Sequence, residues 1–337
     1  MVSSKRSVIV KAAWRYMGIR KGFTRCDLLL SLLTLAALLA LLAPTACGFQ
    51  ESSRRASCAD NLRVLGRSCR RFADANNGYL PNNQQSPYSS WNTQILPFHG
   101  EEGLHSKYRA EQDWWDDEHS NNRALGAEHV AAFQCPSAPG GDRTIAHQDN
   151  EGDVFQLAPT DYVGSAGAYV HSNAVENLFR GAMAFPGRYY GASNVTARRA
   201  VKLGEIIDGA SQTLLVVEMA GKPNVWRHGM LAVDKRNPQT PELFNPGISA
   251  GNWSAPNWNH LRSYDVSGVE PFGPCGVNCS NAASIYGFHP NGANVVMVDG
   301  SVRHLGAGLP EEILVALTSV AASEILAATD YEAVSPE

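Results

Sequence analysis

The sequence predicts an α+β protein with one long helix near the N-terminus, a body of short strands and loops, and a hairpin and helix at the end. Three observations carry this. An uncharged apolar stretch at 28–50 runs into a helical stripe at 52–75, a strand-like run occupies 213–217, and residues 286–305 read as turn, strand, turn, strand. With 337 residues, 44% hydrophobic and 18% charged, the chain can bury a sizeable core and does not have a disordered composition.

The first element follows a basic leader. Residues 1–22 hold Lys5, Arg6, Lys11, Arg15, Arg20 and Lys21 and no acid. Residues 28–50 then carry no charge, and at about 1.5 Å per residue they reach roughly 34 Å, enough for a bilayer core. The positive flank places residues 1–25 in the cytoplasm. The expectation is a single-pass protein of the cytoplasmic (inner) membrane, spanning over 23–50, with an extracytoplasmic, periplasmic domain over 76–337. Setting the six leader bases aside from the 28 Lys and Arg leaves 22 against 32 Asp and Glu, a balance of −10. Nucleic acid is therefore excluded as a partner of the body, because phosphate binding needs a concentrated basic surface.

Residues 51–75 continue the helix. Cys58, Leu62, Leu65, Cys69 and Phe72 recur at spacings of four and three, a narrow apolar stripe, while Arg54, Arg55, Arg63, Arg67, Arg70 and Arg71 fill a solvated remainder. Asn76-Asn77-Gly78 is a helix stop. From 79 to 152 the sequence is rich in Asn, Pro, Gly and Trp and reads as loops with short elements. Asp208-Gly209 makes a turn before the strand Thr213–Val217. Asn291-Gly292 is a second turn, Ala293–Val298 a buried strand, Asp299-Gly300 a two-residue hairpin turn, and Ser301–Leu305 the return strand. Pro310-Glu311-Glu312 starts a closing helix over 310–328, with Ile313, Leu314, Leu317, Val320 and Ala321 on one face.

The seven cysteines suit an oxidising compartment. Cys58 and Cys69 share a helix face but stand about 16 Å apart by helical rise, so they cannot pair with each other. Cys275 and Cys279, in Cys-Gly-Val-Asn-Cys, are spaced for a small-loop disulfide, with a zinc half-site as the alternative. Cys47 closes a faint lipoprotein-like Ala43-Pro44-Thr45-Ala46-Cys47.

Candidate site residues are few. His289 and Asp299 could form an imidazole–carboxylate pair across the hairpin; the plainer reading gives Asp299 to the turn and His289 to a strand end. Asp113-Trp114-Trp115-Asp116-Asp117-Glu118-His119 clusters acids around two tryptophans, either a calcium or sugar site or a solvated loop with a tucked Trp. There is no nucleophile elbow and no Gly-rich phosphate loop, which argues against an enzyme and against a cofactor.

Lys21-Gly22-Phe23-Thr24-Arg25-Cys26-Asp27 immediately precedes the apolar helix and resembles the prepilin cleavage and methylation signal. The resemblance implies that a prepilin peptidase cuts after Gly22, that Phe23 becomes the N-terminus, and that Asp27, at the fifth mature position, pairs with the terminal amine of a neighbouring subunit. Pro44 falls where pilin helices commonly carry a proline. Arg25 and Cys26 depart from the usual apolar pattern. The rest of the chain resembles a bacterial pilin-like family of unknown function, related in plan to type II secretion pseudopilins. The segments that carry this are CADNLRVLGRSCRRFADANNGYLP, Cys135-Pro136-Ser137, DYVGSAG, EIIDGASQTLLVVEMAG and FHPNGANVVMVDGSVRHL with its His-x9-Asp-Gly motif. The resemblance implies a pilin-like fold, a long N-terminal helix packed on an antiparallel sheet with large loop insertions. It also implies a non-enzymatic envelope subunit whose partners are the membrane, the peptidase and other pilin-like subunits. A monomeric anchored module binding polysaccharide or calcium is the alternative.

Overall fold

The computed structural model describes residues 24–83, 88–148, 152–172, 175–184, 188–190, 195–197, 200–232, 251–256 and 260–321. Gly22, Phe23 and the basic leader lie outside the described residues, as do residues 322–337 and the side chains of 39–49. The chain divides into two compact units, Met1–Gln50 and Glu51–Glu337.

Helix α1 runs over Arg25–Ala75. Thr24 and Asp27 form a capping box at its start. The Thr24 backbone N–H and hydroxyl both donate to Asp27 Oδ2, at 3.0 and 2.7 Å, and the Asp27 N–H donates to Thr24 Oγ1 at 3.2 Å. In the first unit Leu28, Leu29, Leu30, Leu32, Leu33, Leu35 and Leu38 are all 53–67% exposed. Among the described residues no helix is long and apolar enough to cross a membrane; the span expected over 23–50 falls partly on side chains outside that set. At the other end Gly78 N–H reaches back to the Ala73 carbonyl at 2.8 Å while Asn77 takes φ +56°, so the Asn-Asn-Gly stop works as a left-handed cap.

Within the second unit a four-stranded antiparallel sheet lies between two helices. Its order is β13 (Val302–Gly306), β12 (Gly292–Met297), β8 (Leu214–Glu218) and β3 (Tyr162–Gly164). Cys58, Leu62, Leu65 and Cys69 of α1 share one core with Val216 and Val296. Val217, Val295 and Met297 share another with Leu314 and Leu317 of helix α5 (Glu311–Thr318). Covering on both faces is why β8 and β12 read as continuous apolar runs instead of alternating ones. The α1 layer approaches closely: a Cβ built on Gly66 would stand 2.7 Å from Val296 Cγ2.

Two elements differ from expectation. The hairpin loop is not a two-residue turn: Met297 N–H bonds the Ser301 carbonyl, Gly300 alone of the loop takes positive φ, at +90°, and the result is a three-residue loop with a glycine bulge. Helix α5 stops at Thr318, because Ser319 turns extended and Val320 pairs with backbone groups of Arg180 and Ile207. A second sheet, β11 (His260–Leu261), β4 (Gly167–Ser172) and β5 (Val175–Arg180), includes one parallel pairing, β11 with β4. The loop-rich 88–135 stretch contributes only short helical turns such as Trp91–Ile95 and Asn122–Leu125.

Candidate functional site

The most unusual polar group of the second unit is built around His289. The residue follows Phe288 into a tight turn closed by Asn291, at φ +63°, and its ring is fully buried. Nε2 lies 3.1 Å from Glu218 Oε1 and Nδ1 lies 2.9 Å from Glu51 Oε1. Each ring nitrogen thus faces a carboxylate, and only the imidazolium has N–H groups for both. Burial by itself would lower the His289 pKa. The hydrogen bonds and charges of Glu218, then of Glu51, outweigh it, and the pKa is raised.

Glu218 is the last residue of β8 and is completely buried. Its Oε2 accepts the Asn294 N–H at 2.6 Å and Oε1 accepts the Asn294 amide at 3.3 Å, so the neighbouring strand satisfies what His289 does not. Gly287 leaves the room for this, since a Cβ there would sit 2.6 Å from Glu218 Oε2. Glu51 is partly exposed and also accepts the Ser137 hydroxyl at 2.8 Å.

A disulfide completes the cluster. Cys58 of α1 is bonded to Cys135, and Cys135 Sγ lies 3.5 Å from His289 Nε2. The Cys135 N–H donates to Asp161 Oδ2 at 2.9 Å, and Asp161, fully buried, is paired with Arg143 and accepts the Gly221 N–H at 3.0 Å. A cavity of about 780 Å³ has Arg54, Ser57, Cys135, Arg143 and Asp161 in its wall.

The other sequence candidates fall elsewhere. Asp299 does not meet His289: it is exposed in the hairpin loop, where Oδ1 accepts the Ser301 N–H at 2.8 Å and hydroxyl at 2.6 Å. Cys275 and Cys279 are disulfide-bonded to each other in a small cluster with Tyr264 and Ala282. Cys69 is a buried free thiol whose pKa is pushed far up by desolvation. Trp114 is fully buried against Trp115, His147 and Phe155. Asp113 accepts the Tyr88 N–H and Asp117 pairs with Arg123, so these two acids hold the loop together. Asp27 is engaged by Thr24.

Sequence reasoning missed Glu51, Glu218 and the Cys58–Cys135 pairing. A signal for Glu218 was present, a carboxylate ending the otherwise apolar run Leu214–Val217, which has to be compensated if the strand is buried.

These features define an α+β domain in which an N-terminal helix is laid on an antiparallel sheet and fastened by a disulfide and a carboxylate–imidazole–carboxylate bridge. The chain belongs to the family described as "Protein of unknown function (DUF1559)", which matches residues 49–307 and so takes in all five residues of the cluster. Neither curated proteins nor solved structures gave a match.

Proposed function

We propose that the protein is a non-enzymatic, membrane-anchored envelope protein on the pilin plan. It is cleaved after Gly22 by a prepilin peptidase, held through residues 23–50 in the inner membrane, and displays the domain from Glu51 onward outside the cytoplasm. The observation that carries this reading is the run of seven exposed leucines from Leu28 to Leu38. Such a surface needs lipid or the apolar helices of neighbouring subunits around it. The basic leader, the acidic body and two disulfides fit export in this orientation.

The proposed role is that of a subunit in a type II secretion or type IV pilus-like assembly. One observation favours a second reading, a monomeric anchored module binding polysaccharide or calcium: Asp27 already accepts two hydrogen bonds from Thr24 and so has a partner within its own chain. The two are separated by cross-linking in native membranes. Loss of higher-mass species in Asp27→Ala, with the protein still membrane-bound, supports a subunit. An unchanged pattern, or only monomer in the parent, supports the module.

A further inference from the structure

We propose that the chain has a second, reduced state in which Cys58, Cys135, Glu218 and His289 bind one zinc ion. The ligand atoms of these four buried residues all lie within 4.8 Å of one another. Two thiolates, an imidazole and a carboxylate are donors that zinc accepts together, and four protein ligands without an open position make a closed, structural site.

The geometry is close to that of a loaded site. Metal–ligand bonds of about 2.3 Å to sulfur and about 2.0–2.2 Å to nitrogen and oxygen set the edges of a tetrahedron at roughly 3.5 Å for S···N and roughly 3.4 Å for N···O. The corresponding distances are 3.5 Å for Cys135 Sγ to His289 Nε2 and 3.1 Å for His289 Nε2 to Glu218 Oε1. The sulfur–sulfur edge has to open, which is what reduction does, and the other edges start within 4.8 Å.

The surroundings are also those of a metal site. A ligating histidine characteristically donates its second N–H to a carboxylate, which fixes the ring and its tautomer. Here Nδ1 faces Glu51 Oε1 at 2.9 Å, so Nε2 is the nitrogen turned toward the sulfurs and Glu218. Glu218 is held in turn by the Asn294 N–H and amide.

The chemistry balances with one external reactant, a dithiol reductant. The dithiol gives two electrons and two protons to the Cys58–Cys135 bond and is itself oxidised to a disulfide, leaving two thiols. Zinc then displaces both thiol protons and the Nε2 proton of the imidazolium, three in all. The disulfide and the metal are thus alternative fastenings of α1 to the same place, one for oxidising and one for reducing conditions. This inference does not depend on the membrane reading.

The test uses the full chain, purified in detergent under a phosphine reductant and then oxidised. Expected are one zinc per reduced chain, release on oxidation, and thiolate-to-metal charge-transfer absorption with tetrahedral d–d bands when cobalt(II) replaces zinc. Glu51→Gln should weaken zinc binding about ten- to a hundredfold. Cys275→Ser should leave it unchanged, and Cys58→Ser should abolish the cobalt–thiolate band. If Cys58→Ser does not fold, the parent still decides, because zinc should slow alkylation of Cys58 and Cys135 and a chelator should restore it. A reduced chain with native circular dichroism and no zinc, zinc protection confined to Cys275 and Cys279, or full zinc content in a folded Cys58→Ser variant would each overturn the proposal.

Discussion

The imidazole Nδ1 of His289 lies 2.9 Å from the Glu51 carboxylate across a separation of 238 positions, and the opposite nitrogen lies 3.1 Å from Glu218. The contact ties the start of the domain's share of α1 to the turn that opens the final hairpin. The Cys58–Cys135 disulfide makes a second tie two helical turns further on.

Removing the imidazole leaves Glu218 buried without its charged partner. His289→Ala is expected to cost about 3 kcal/mol near pH 6. The pH dependence has a definite sign. A histidine with a raised folded-state pKa contributes stability that is complete below its unfolded value of about 6.5 and is lost as pH rises through the higher folded value. The stability difference between parent and His289→Gln should therefore shrink as pH rises above 6.5. Taking the difference cancels groups that do not feel the His289 charge, such as Lys222, which burial lowers to about 8. His304, whose pKa burial and Arg55 lower, also feels that charge and does not cancel. Urea unfolding of both proteins across that range measures it.

The disulfide closes a loop over a sequence separation of 77. Chain-entropy reasoning assigns such a loop about 4.5 kcal/mol. Under oxidising conditions the double substitution Cys58→Ala, Cys135→Ala should lower unfolding stability by about that amount. The Cys275→Ala, Cys279→Ala pair, with a separation of 4, should cost less.

Gly66 sets how closely α1 rides on the sheet. Gly66→Leu should destabilise by about 2 kcal/mol through overpacking against Val296, despite leucine's better helix propensity. Val296→Ala should recover part of the loss in the double variant, a non-additivity that thermal unfolding of the two singles and the double will show.

Asp299 acts in the hairpin loop alone. Asp299→Ala removes two hydrogen bonds to Ser301 and should cost about 1 kcal/mol. The titration of the His289 ring, followed by NMR, should not move; a shift would restore a direct link between the two ends of the His-x9-Asp-Gly motif.

Local pattern made much of the scaffold legible. The four-three spacing of Cys58, Leu62, Leu65 and Cys69 marks the face of α1 that is buried, and the Asn-Asn-Gly stop marks its end. The run at 213–217 enters the central sheet beside the hairpin strand. The site was less legible because its members come from four separate stretches of the chain: α1, the loop at Cys135, the end of the strand at Glu218 and the turn at His289. No two of them stand at a motif spacing from each other. Glu51 reads as an ordinary charge after an apolar segment, and Cys58, which helical rise bars from Cys69, carries no local sign of a loop cysteine 77 positions away. Register within the sheet, which a local reading does not fix, brings Glu218 beside Asn294, and the loop after Phe133 brings Cys135 to α1. The strand between His289 and Asp299 carries the two residues to different ends of the hairpin, so the spacing of the His-x9-Asp-Gly motif does not bring them together.

Cleavage after Gly22 is tested by the mature N-terminus and intact mass of the protein purified from its native membrane. Prepilin processing gives a chain that begins at Phe23, with or without an added methyl group, and that is recovered in the inner-membrane fraction. A chain that retains Met1, or one that begins at a lipidated Cys47, would contradict prepilin processing.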